Sequence, residues 1–177
     1  GYSERDYGRS ALYARKAVVI NASALPHGIR IEWGGGEASR ARVMAVYGNL
    51  SLSNVTIASG YSQAEVIDGG TQPYTLARGG GLAVWGIARL RNCVVAGNTC
   101  VGDTAASRDR GTYGGGIYSN GLDLQDTVVS GNRVLGAGAA GGGIYSVGGA
   151  DNTFGRGNDT ALMRCAVTGN RVTAQHA

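Results

Sequence analysis

Lysine, proline and histidine are almost missing from this chain. A single Lys stands against 15 Arg in a formal charge of +4, and the cations are scattered among acids rather than clustered. No basic run and no aromatic-basic stripe results, so a nucleic-acid partner is not expected. Only 2 Pro and no G-X-Y period accompany 32 Gly in 177 residues, which excludes collagen. His27 and His176 lie near opposite ends of the chain, which removes a His-based triad and a His-rich metal site. Long apolar runs are absent too: nothing approaches the ~20 residues of a membrane span. Cysteine is scarce and odd in number, Cys93, Cys100 and Cys165, without CxxC spacing. Zinc is therefore not expected, and a Cys93–Cys100 disulfide is open but not implied. These gaps point to no metal and no cofactor. No signal peptide is legible after Gly1, so the chain reads as a mature chain, a processed product or an excised piece.

What remains suits a folded domain, since 43% of residues are apolar and 16% charged. Glycine stands at more than twice its usual ~7%, which calls for many tight turns. Their cause is a repeat. Tyr113-Gly114-Gly115-Gly116-Ile117-Tyr118-Ser119 continues through Leu124-Gln125-Asp126-Thr127-Val128-Val129-Ser130-Gly131-Asn132. Gly141-Gly142-Gly143-Ile144-Tyr145-Ser146 restarts it, and Gly79-Gly80-Gly81-Leu82 through Gly97-Asn98 is an earlier copy. Leu52, Leu90, Leu124 and Leu162 open equivalent segments at spacings of 38, 34 and 38 residues, within the range of solenoid repeats. Insertions fall between the Gly-Asn ending and the next Gly-Gly-Gly, and before Leu162.

Short segments rich in β-branched residues and bounded by Gly and Asn are strand signals. Parallel strands need long crossovers, and here the rest of each coil is the crossover. The expected fold is all-β: a right-handed parallel β-helix of about five coils with long lateral loops over residues 17–177. Residues 1–16 form an N-terminal lead-in or capping segment, with a short helical turn after Ser10. Equivalent residues should stack into ladders: Leu52/Leu90/Leu124/Leu162, Ile57/Val95/Val129/Val167, Leu82/Ile117/Ile144 and Asn98/Asn132/Asn170. Arg89 should lie above Asp123 as an exposed pair, and Asp126 aligns with Arg164 in the same way.

The run Val18 to Ile31, followed by repeated GGGIYS…GLDLQDTVVSGN units, resembles bacterial right-handed parallel β-helix repeat proteins of the polymorphic outer-membrane protein and autotransporter-passenger type. That resemblance covers roughly residues 17–171. It implies an extracellular or bacterial cell-surface, outer-membrane location and a structural or adhesive, non-enzymatic role. The partner would be a protein or glycan at the cell surface, and the solenoid ends would allow self-stacking into a larger assembly. The long loops 61–78, 99–113 and 148–160 would then display Tyr61, Tyr74, Tyr113 and Phe154 as contact residues, aromatic groups being favoured interface anchors.

An alternative is a polysaccharide lyase or glycoside hydrolase on the same scaffold, since such enzymes use clustered carboxylates with basic residues. Its candidate patch is Arg89, Arg91, Asp123, Asp126 and Arg164. The acids do not recur on adjacent coils, so no carboxylate stack is expected.

Overall fold

The structure is a computed structural model that describes residues 9–34, 39–67, 74–103, 109–148 and 159–174. Its strands stack almost entirely in parallel as a β-solenoid of about four turns. Each full coil visits four sheets. The first gathers Ser10–Ala14, Arg42–Val46, Leu82–Arg91, Ile117–Gln125 and Ile144–Ser146, with Val18–Asn21, Leu50–Ser53 and Thr160–Met163 along its second half. The second stacks Ile29–Glu32, Val55–Ala58, Val94–Ala96, Val128–Ser130 and Ala166–Thr168. The third stacks Tyr61–Gln63, Thr99–Val101, Arg133–Gly136 and Arg171–Ala174, and the fourth Glu65–Ile67, Tyr74–Arg78, Asp109–Tyr113 and Ala139–Ala140. Five coils were expected and about four turns are built, because the third and fourth sheets begin only at Tyr61 and Glu65.

The predicted ladders are the observed registers. Leu52, Leu90, Leu124 and Leu162 are partners in succession, as are Ile57, Val95, Val129 and Val167. Leu82, Ile117 and Ile144 form a third row. Alternation along each strand sends these side chains inward, where Leu52, Leu90, Leu124, Ile57, Val95 and Val129 are sealed from solvent. Each such burial contributes about 1.5–3 kcal/mol. The last described rung is open by contrast: Leu162, Val167 and Val172 are 46–47% exposed.

Three turns per coil recur as columns of left-handed backbone. Asn54, Asn92, Asp126 and Arg164 hold φ of 50–57° between the first and second sheets. Ser59, Gly97, Gly131 and Gly169 hold φ of 58–65° before the third sheet, and Gly79, Gly114 and Gly141 hold 60–70° before the first. Asn, Asp and Gly tolerate this region, whereas Arg164 does so at a cost. Behind the second column stands the asparagine ladder. Asn132 Oδ1 accepts from Asn98 N at 3.0 Å and from Asn98 Nδ2 at 2.9 Å, and Asn170 Oδ1 accepts from Asn132 in the same two ways. At its first step the acceptor Asn98 Oδ1 takes the Gly60 N–H at 2.9 Å.

Two expectations change. Ser10–Ala14 is a strand paired with Arg42–Val46 rather than a helical turn, since so short a helix has little stability and an open sheet edge satisfies the same backbone groups. Much of the presumed display loops 61–78 and 99–113 is also strand, because neighbouring coils offer ladder partners. Thr75, Leu76 and Ala77 are buried there. Most of the third loop, 148–160, lies outside the described residues. Cys93 and Cys100 are buried and are not joined in a disulfide: Cys93 sits in the main core, while Cys100 packs with Ala77 and Val134 in a smaller one.

Candidate functional site

Among the proposed contact residues, Tyr113 and Tyr61 meet different fates. Tyr113 joins an aromatic column on the outer face of the first sheet: Tyr13, Tyr47, Trp85, Tyr118 and Tyr145 follow one another with ring centroids 4.5–6.2 Å apart, and Tyr113 stacks on Tyr145 at 4.3 Å. Tyr47 and Trp85 are nearly parallel in their 4.5 Å stack, and the Arg78 guanidinium covers Tyr118. Ring faces stacked on one another stabilise the coil stack, at about 0.5–1.5 kcal/mol per pair. Burial pushes the Tyr118 phenol above its ordinary pKa, with Arg78 opposing. Phe154 lies outside the described residues, and Tyr74 begins the strand Tyr74–Arg78.

Tyr61 opens the third sheet. Its ring carries the Arg40 guanidinium at 4.4 Å, and with Trp33 and Arg40 it forms one end of a groove of about 650 Å³ that continues over Thr99, Val101, Arg133 and Leu135. The register makes a straight track of outward side chains: Tyr61, Thr99, Arg133 and Arg171 are successive partners. Each occupies the position just after the second turn, immediately following Gly60, Asn98, Asn132 and Asn170. Arg133 and Arg171 are exposed, directly adjacent in register, and without an ion-pair partner among the described residues. Like charges in register on neighbouring strands are destabilising, so this step is held by the fold against its own repulsion. None of the described residues lining the groove is acidic. At the groove end the Trp33 indole N–H is buried and finds no acceptor among the described residues.

The charged patch near Asp123 is built differently. Arg89 does stand in register with Asp123, but the ion pair is made by Arg91, two residues further along the same face. Arg91 donates from both terminal nitrogens to Asp123, at 2.9 and 2.6 Å. Arg164 also forks onto Asp126, from Nε at 2.6 Å and from one terminal nitrogen at 2.7 Å. The hydrogen bond from Arg91 holds the Asp123 carboxyl below its ordinary pKa, and the one from Arg164 does the same to Asp126. Both guanidiniums are correspondingly raised by their carboxylates. A general acid in glycoside cleavage needs the opposite shift.

No protein-family model, curated protein or solved structure matches this chain.

The lowered Asp123 pKa sets the sign of a pH effect. A depressed folded-state pKa contributes stability above the unfolded value of ~3.9, and that contribution is lost as pH falls through the lower folded value. The pair is partly exposed, at 40% and 34% for its two side chains. Asp123→Asn should therefore cost less than about 1 kcal/mol near neutrality, and its urea midpoint should converge on that of the unsubstituted chain in acid. A gap that persists in acid would exclude the ion pair as its origin.

The aromatic column and the basic step were missed in the sequence, although both had a signal. Tyr47 aligned with Trp85 and Tyr118 with Tyr145, while Arg follows Gly-Asn in two copies, at Arg133 and Arg171.

Proposed function

We propose that the protein is a non-enzymatic extracellular or cell-surface module of the bacterial β-helix kind, structural or adhesive, which holds a glycan or protein partner along the outer face of its third sheet. The observation that carries this reading is the groove at Tyr61 and its continuation into Arg133 and Arg171, two stacked cations without a carboxylate partner among the described residues. Aromatic and Arg side chains are the usual anchors of interfaces. The volume of the groove falls within the range of small-molecule and ligand-segment sites, about 300–1,000 Å³. The neighbouring carboxylates support the same reading from the other side, since Asp123 and Asp126 are already engaged by Arg91 and Arg164.

The test is binding of the folded chain to intact bacterial and host cells and to a glycan panel, repeated with a Tyr61→Ala/Arg133→Gln double variant. The third-sheet outer face is solvent-facing, so the double variant should melt close to the parent. Binding by the parent that falls about tenfold or more in the variant is expected, as for a lost hot spot. Equal binding by both proteins overturns the reading.

A further inference from the structure

We propose that the track Tyr61–Thr99–Arg133–Arg171 binds a sugar chain bearing carboxylate groups, laid parallel to the solenoid axis; this rests on the groove being the binding face. Three features define the ligand. First, the positive step is uncompensated: Arg133 and Arg171 face outward in register with no ion-pair partner among the described residues. An anionic ligand removes that repulsion. The guanidinium fork matches a carboxylate in two parallel hydrogen bonds.

Second, the track is polar and regular. Its four positions are separated by three strand spacings of ~4.8 Å, close to the length of one pyranose residue, so equivalent groups of a linear sugar chain meet equivalent positions. The Thr99 hydroxyl supplies a neutral donor and acceptor at the middle step, suited to a sugar hydroxyl.

Third, among the described residues that line the groove, aromatic surface stands at one end. Tyr61 and Trp33 flank the groove there, and one face of Tyr61 already carries Arg40. One terminal ring can seat a single sugar residue. A single-stranded nucleic acid needs successive rings for successive bases, and the rings that do follow one another, Tyr47 to Tyr145, are stacked on themselves on another sheet.

The experiment is calorimetric titration of the whole chain with a 1,4-linked uronic-acid hexamer. Its fully methyl-esterified form, a poly-Glu peptide and oligothymidylate of similar length are run in parallel. Proteins compared are the parent, Arg133→Gln, Arg171→Gln, Tyr61→Ala and, as a charge control on the first sheet, Arg89→Gln. The uronate should bind the parent, weaken about tenfold or more in Arg133→Gln and Arg171→Gln as a charged hydrogen bond is lost and in Tyr61→Ala as the terminal ring is lost, and bind Arg89→Gln unchanged. Methyl-esterification should abolish binding.

Equal binding of the ester, lost in Tyr61→Ala, overturns the acidic-sugar inference and leaves the groove as a glycan site. Preference for the peptide or the oligothymidylate, or no binding of any probe to the parent, overturns the inference. Uronate binding that no track variant changes, or that Arg89→Gln weakens as much, overturns both the inference and the assignment of the groove.

Discussion

Gly115→Ala is expected to destabilise the protein by upwards of about 3 kcal/mol. A Cβ at position 115 would run into the carbonyl oxygens of Gly142 and Arg133, the first in the next coil and the second in its own. Both obstacles are main chain, so no rotamer change relieves the clash. Relief needs the next coil to move away, against the ladder bonds from Gly115 N to Gly141 O at 3.0 Å and from Gly116 N to Gly143 O at 3.0 Å, and the corner of its own coil to open at Arg133. Gly97→Ala is the control. That glycine has a φ of 65° with nothing within 4 Å of the added carbon, so it bears only the left-handed penalty of roughly 1–2 kcal/mol. Thermal melts of the two variants decide the matter. At about 2–4 °C per kcal/mol for a chain of this size, Gly115→Ala should melt clearly below Gly97→Ala. Equal melting would mean that the coils are not packed backbone to backbone at this corner.

Asn132→Leu should cost about 3–5 kcal/mol despite keeping the side chain's approximate size. Asn132 is fully buried, and its amide works in both directions. Its oxygen takes two donors from Asn98, and its nitrogen donates to Val95 O at 3.0 Å and to Asn170 Oδ1 at 2.9 Å. Leucine strands the Asn98 main-chain N–H in a site sealed from solvent. Each buried group left without a partner costs about 1–3 kcal/mol. Exposed Asn21, whose Oδ1 accepts only from Ser23 N at 3.0 Å among the described residues, is the comparison, and Asn21→Ala should cost less than about 1 kcal/mol. Denaturant unfolding that placed the two variants together would deny the ladder its structural weight.

These two sites mark what the sequence makes legible. Position 115 sits in a motif written three times, and Asn132 in a column of three, so repetition alone exposes them. The Leu and Val rows are legible for the same reason, because identical residues at a fixed spacing in parallel strands have only themselves to pair with. Legibility fails where partnership depends on what the neighbouring coil offers. Ser10–Ala14 has a weak helical signal of its own and becomes a strand because Arg42–Val46 presents an edge. Residues 74–78 and 109–113 look like insertions along the chain and are strands in space. The Arg91–Asp123 pair is diagonal, so aligning Arg89 with Asp123 finds the right strands and the wrong cation. The Arg133–Arg171 step needs a further inference of sidedness: the alignment shows both residues in one column, but only the third sheet's facing places that column at the groove.

The open final rung bears on how the molecule loses structure. Contacts in a stacked coil run chiefly to the coil above and the coil below, so order at each layer is lent by its neighbours. Leu90 and Leu124 have a coil on either side, whereas Leu162 has one described neighbour only. Amide protection should therefore rise from the Thr160–Met163 edge toward the layer of Leu90 and fall again toward Val18–Asn21. Opening is expected first at the two outermost described layers, and Arg171 lies on the last described rung with Arg133 one coil in, so small openings there would alter the spacing of the two cations before the core is breached.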